Sequence, residues 1–124
     1  MSLEAPRYTD IIDPNNFYVH RKPIIQRLEK RLDGRVIVYT ASPFHRFPAI
    51  MVQDVPLFED LLQSVAGADV GYLVINSPGG DANVAEKLIF MCRQRFPKGF
   101  NVIVPDYAKS AATMIALGSD KIFM

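Results

Sequence analysis

The sequence predicts an α/β domain with a parallel sheet and crossover helices, and three observations carry that expectation. Short apolar, β-branched runs alternate along the chain with segments whose apolar residues recur at helical spacing. The run VGYLVIN (70–76) is apolar at successive positions, as a parallel strand must be when helices cover both of its faces. Gly, Pro and Asp punctuate the junctions between these segments. Strand, helix, strand, helix is the order that right-handed crossovers join into one sheet.

Each element follows from its residues. APRYTDIIDPNNFY (5–18) is rich in Pro, Asn and Asp and reads as an irregular N-terminal arm over 1–18, ahead of an α/β domain over 19–124. In RKPIIQRLEKRLDG (21–34), Pro23 suits a first helical turn, Ile24, Ile25, Leu28 and Leu32 form an apolar stripe, and Gly34 supplies a stop. From His20 to Arg35 six Lys or Arg face two acids, so the helix over 21–33 offers a basic surface to a membrane or a partner, or simply a solvated face. RVIVYTAS (35–42) is a strand, and PFHRFPAI (43–50) a loop. Asp54 is placed to cap a helix through Gly67, with Leu57, Phe58, Leu61, Leu62 and Val65 inward. After the strand at 70–76, Asp81 caps a helix whose stripe is 84, 85, 88, 89, 92 and 96. FNVIVPD (100–106) is the third strand, AATMIALG (111–118) a short helix buried in the core, and KIFM (121–124) the start of a fourth strand.

Composition excludes several classes. At 124 residues, 49% hydrophobic and 22% charged, the chain is one ordinary globular domain. A net charge of +1 gives no overall attraction for nucleic acid. No apolar run reaches the roughly 20 residues that span a bilayer, and no signal-peptide pattern opens the chain. The lone Cys92 lies among Ile89, Phe90 and Met91 and reads as a buried thiol in a reducing compartment, so a cytoplasmic location is expected. One cysteine and two scattered histidines offer no metal-ligand spacing, and no cofactor is expected.

Two loops share the carboxyl edge of the sheet, where α/β folds place their chemistry. In NSPGGD (76–81), Gly79 and Gly80 bring backbone N–H groups close to a ligand, and Asp81 opens a helix whose positive end faces the same place. Such a loop suits a phosphate or the oxyanion of a tetrahedral intermediate, and equally a plain strand-to-helix turn. Neither dinucleotide nor Walker glycine patterns occur, which ranks nucleotide binding low. In DYAKSAA (106–112), Ser110 starts a helix directly after a strand, with the Ala111 N–H beside it; a serine there is either an N-cap or a nucleophile.

INSPGGDANVAEKL (75–88) followed by AKSAATMIALGSDKIFM (108–124) resembles the core of the ClpP/SppA superfamily of serine peptidases, which shares its fold with the crotonases, and most resembles the serine dehydrogenase proteinase branch. The resemblance runs from about Leu28 to Met124 and implies a ClpP/crotonase-like parallel sheet, incomplete at its C-terminal end. It implies that Ser110 is the nucleophile, that the N–H groups of Gly80 and Ala111 form the oxyanion hole, and that Gly79 shapes the loop. It further implies acyl transfer on a peptide or protein substrate, and a homo-oligomer. The base of such relatives, a lysine or histidine, lies well downstream of the serine, whereas this chain ends fourteen residues after Ser110, so the base is expected outside these residues. Lys109, Lys121, His45 and His20 are the substitutes at hand; Asp81 and Glu86 suit a cap and a charged helix face better. An inactive scaffold and a crotonase-like acyl-thioester binder are the competing expectations.

Overall fold

The computed structural model of the chain describes residues 17–41, 49–65 and 67–124. It divides into two units, Met1–Leu32 and Asp33–Met124. In the first, helix α1 runs Phe17–Leu32 and carries Lys30 and Arg31 in its last turn. Pro23 is therefore interior to the helix rather than in its first turn, because the helix begins four residues ahead of RKPIIQ, within the stretch expected to be an irregular arm. The rest of that stretch, residues 5–16, lies outside the described residues.

The second unit holds strands β1 (Arg35–Thr40), β2 (Val70–Asn76), β3 (Gly99–Ile103) and β4 (Lys121–Phe123), with helices α2 (Asp54–Ser64), α3 (Ala82–Arg95) and α4 (Ala111–Leu117) between them. All pairings are parallel, in the order β1-β2-β3-β4. The general α/β architecture with a parallel sheet is thus observed. Register aligns Ile37 with Leu73, Leu73 with Val102, and Val102 with Ile122. One core cluster joins Ile37, Leu73, Ile75, Phe100 and Val102 of the sheet to Phe58 and Leu62 of α2, Val84, Leu88 and Cys92 of α3, and Ile115 of α4.

The helices α2, α3 and α4 all pack in that one cluster, on the face of the sheet that carries Ile37, Leu73 and Val102, while Val36 and Asn101 on the opposite face are also buried. The strand order never reverses, and right-handed crossovers stepping one way along a sheet put every connecting helix on the same face. Val38, Tyr72, Val74 and Ile103, pointing the other way, do not belong to the core cluster, and Val38 stays 40% exposed. The Tyr72 and Phe123 rings meet on that second face, 6.1 Å apart.

Two helix faces also differ from expectation. In α2 the buried set is Val55, Phe58 and Leu62, continued by Val65, while Leu57 is 70% exposed. The true stripe steps by three and four residues from Val55, so Leu57 falls outside it. Helix α4 buries Ala111, Ala112, Ile115 and Ala116 but turns Leu117 and Met114 outward, so it lies on the core rather than within it. In α3 the predicted stripe is found: Val84, Ala85, Leu88 and Cys92 are buried, with Phe96 just beyond.

Candidate active site

The three loops at the carboxyl ends of β1, β2 and β3 are laced together by main-chain bonds. The Ala41 N–H donates to the Asn76 carbonyl (2.8 Å), the Ser77 N–H to the Tyr107 carbonyl (3.2 Å) and the Lys109 N–H to the Ser77 carbonyl (3.1 Å). The Asn76 side chain accepts the Tyr107 N–H at 3.0 Å. Buried Ser77 accepts the Gly79 N–H through its Oγ at 3.1 Å. Asn76 and Ser77 are the fasteners of the site that sequence reasoning missed; two short polar side chains directly after an apolar strand were their available signal.

Gly79 and Gly80 have φ of 117° and 146°. A side chain at Gly79 would bring its Cβ within 2.6 Å of the Ser110 Cβ, and one at Gly80 within 2.3 Å of the Ile50 carbonyl oxygen. Both glycines are therefore dictated by close approach as well as by backbone angle. Ile50, 1% exposed, lies alongside as a short parallel bridge to Gly80. Its N–H donates to the Gly79 carbonyl (2.7 Å) and its carbonyl accepts the Asp81 N–H (2.9 Å). No peptide among the described residues is cis. A trans peptide holds its N–H opposite its carbonyl, so the Gly80 N–H points away from Ile50. It has no acceptor among the described residues.

Asp81 caps α3, accepting the N–H groups of Asn83 (2.8 Å) and Val84 (3.4 Å). Asp54, expected to cap α2, instead stands inside its first turn. Its Oδ2 accepts the Tyr39 hydroxyl (2.6 Å) and the Met51 N–H (3.0 Å).

Ser110 adopts φ 52° and ψ −122° and makes no side-chain cap bond. The Ala112 N–H closes the turn on the Lys109 carbonyl at 3.0 Å. These are the angles of the first central residue of a type II′ turn, a position that glycine normally fills. The N-cap role open to this serine is thus not the one it takes. Its side chain is exposed, and its Oγ lies 3.3 Å from where a Gly79 Cβ would stand. The Ser110 carbonyl accepts the Met114 N–H (3.2 Å), so the trans peptide sends the Ala111 N–H out of the helix end; it has no acceptor among the described residues. Thr113 fixes the turn from below, its Oγ1 donating to the Ala108 carbonyl at 2.8 Å.

The candidate bases fall on different elements. The Lys109 ammonium lies 5.8 Å from the centre of the Tyr107 ring. Lys121 is exposed on β4, and the Asp120 beside it is engaged by Arg93 at 3.1 Å. His45 lies outside the described residues, and His20 is on α1. Glu86 is exposed on α3. Next to the glycine loop, a cleft of about 460 Å³ is lined by Val52, Val55, Pro56, Val84 and Lys87, with Asp81 and Asn83.

No protein-family model matches the chain. Among curated proteins it is similar to two from Methanocaldococcus jannaschii. Uncharacterized protein MJ0137 is 30% identical over 115 residues, covering 84% of this chain and 38% of that protein. Uncharacterized protein MJ1495 is 29% identical over 111 residues, covering 81% of this chain and 36% of that protein. The chain thus spans little more than a third of the length of the curated relatives it matches.

Proposed function

We propose that these residues carry the nucleophile and oxyanion hole of a serine hydrolase of the ClpP/SppA type, acting on peptides. The observation that carries the proposal is the strained Ser110: an exposed hydroxyl on a positive-φ turn, set against Gly79, with the outward N–H groups of Gly80 and Ala111 on the two adjoining loops. A non-glycine residue held at such angles costs about 1–3 kcal/mol and belongs to sites where the side chain must project. A helix cap would not need the strain.

In the proposed reaction the Ser110 Oγ attacks the substrate carbonyl carbon and its proton passes to a general base. The carbonyl oxygen takes the negative charge and receives hydrogen bonds from Gly80 and Ala111, each such donor lowering the barrier by about 3 kcal/mol. The C–N bond then breaks, the base returns the proton to the leaving amine, and water releases the acyl group from serine by the same steps. The proposal places the base outside these residues; the curated relatives are longer than the chain, which covers 38% and 36% of them. The proposal extends to a homo-oligomer located in the cytoplasm, with the basic α1 able to rest on an anionic membrane surface. Among the described residues no helix is long and apolar enough to cross a membrane.

The test is covalent labelling of the full-length protein by a fluorophosphonate, with the modified residue located by mass spectrometry, beside hydrolysis of peptide and ester probes. Labelling at Ser110 that is lost in Ser110→Ala, together with probe hydrolysis, is the expected result. An unlabelled Ser110 with acyl-thioester binding would instead favour the crotonase-like alternative, and neither activity would favour a scaffold.

A further inference from the structure

We propose that the Tyr39–Asp54 pair positions the oxyanion loop, holding Ile50 and Met51 so that the Gly80 N–H keeps its outward aim; the catalytic part of this proposal rests on the hydrolase reading. Six contacts make the chain of support. Tyr39, at the end of β1, packs its ring edge-on against Phe58 of α2, with centroids 5.9 Å apart. Its hydroxyl donates to Asp54 Oδ2 at 2.6 Å, and the same oxygen accepts the Met51 N–H at 3.0 Å. The Asp54 N–H donates back to the Met51 carbonyl at 3.0 Å, so Met51 is held at both its polar groups by one residue. Ile50, the next residue along, is bonded on one side to the Gly79 carbonyl and on the other to the Asp81 N–H.

The Gly79 carbonyl and the Gly80 N–H belong to one rigid peptide plane. Whatever fixes the carbonyl on Ile50 therefore fixes the direction of the N–H. Asp54 is free for this work because it does not cap its own helix: the N-cap of α2 is Gln53, which makes no side-chain cap bond. Burial, followed by the hydrogen bond to Asp54, raises the Tyr39 hydroxyl well above its ordinary range, so it stays protonated as a donor. Tyr39 and Asp54 are positioning residues. A misplacement of about 1 Å at an oxyanion donor is enough to cost on the order of a hundredfold in rate.

The experiment uses Tyr39→Phe, Asp54→Asn and the double variant of the full-length protein. Amide hydrogen exchange at Ile50 and Asp81, the two N–H groups of the bridge, is followed beside the rate of Ser110 labelling by a fluorophosphonate and the kcat and KM of an ester probe. Both bridge amides are expected to exchange about tenfold faster in each variant while Leu88, in the middle of α3, keeps its protection. Labelling and kcat are expected to fall about tenfold with KM nearly unchanged, and the double variant to do no worse than either single one. Wild-type exchange at Ile50 and Asp81 in Tyr39→Phe, which retains the ring against Phe58, overturns the proposal even if Asp54→Asn proves too unstable to measure. Faster bridge exchange in a protein whose wild type is never labelled would support the positioning role and count against the hydrolase reading alone.

Discussion

At Ser110 a side chain occupies φ 52°, where glycine would be at ease. Replacing it with glycine should release that strain, raising stability by about 1 kcal/mol while abolishing fluorophosphonate labelling. Alanine should abolish labelling without the gain, since its Cβ keeps the strain. Calorimetry on the two variants checks this, and equal melting temperatures would show that the turn is not strained. Cys92 offers a separate test. It is fully buried on the inner face of α3, and burial alone pushes its thiol up to about 12. The folded value lies above the unfolded one, so the stability tied to the neutral thiol is complete below the ordinary thiol range and is lost as pH climbs towards 12. At neutral pH iodoacetamide should leave Cys92 unmodified in the native protein and alkylate it fully in denaturant, as peptide mapping would show.

Among the elements, the end of α2 is closed by a side chain from another helix. The Arg95 guanidinium donates to the carbonyls of Leu62 (3.0 Å), Val65 (2.6 Å) and Ala68 (3.3 Å) while lying 5.5 Å from the centre of the Phe96 ring. A lysine ammonium cannot reproduce that planar fork. Arg95→Lys is expected to cost about 2 kcal/mol in urea unfolding, and a cost near zero would show that the three carbonyls are equally well served by water. Strand β4 depends on a comparable link. Asp120 accepts the Phe100 N–H (2.9 Å) and pairs with Arg93, and the Phe100 N–H first, then Arg93, hold its carboxyl below the usual carboxylate range. Because its folded value is the lower one, its stabilisation is complete above about pH 4 and fades as pH falls through the folded value. The difference in melting temperature between wild type and Asp120→Asn should therefore be present at pH 6 and narrow as pH is lowered below the ordinary carboxylate range.

At the scale of the whole sheet, the unreversed strand order is the governing fact. Val38, Val74, Ile103 and Phe123 share a face that α2, α3 and α4 do not cover, because the unreversed strand order puts those helices on the opposite face. A parallel sheet is ordinarily covered on both faces. In line with the proposed homo-oligomer, sedimentation equilibrium of the full-length protein at micromolar concentration is expected to give a mass above the monomer's. A strictly monomeric mass would remove that part of the proposal.

Periodicity and local chemistry made much legible in advance: the four strands, the α3 stripe, the Asp81 cap and the buried Cys92 each depend on residues within a turn or two of one another. The two glycines and Ser110 were likewise visible as punctuation at strand ends. What the chain alone did not disclose was every feature that joins distant segments: that Ile50 would run beside Gly80, that Ser77 would tie two loops together, that Asp54 would turn away from its helix to serve Tyr39 and Met51, and that all three crossovers would fall on one face. Those depend on which strands become neighbours, a choice made by burial across the entire sheet. Local propensity settles which residues form a strand or a helix; only packing decides which of their polar ends meet.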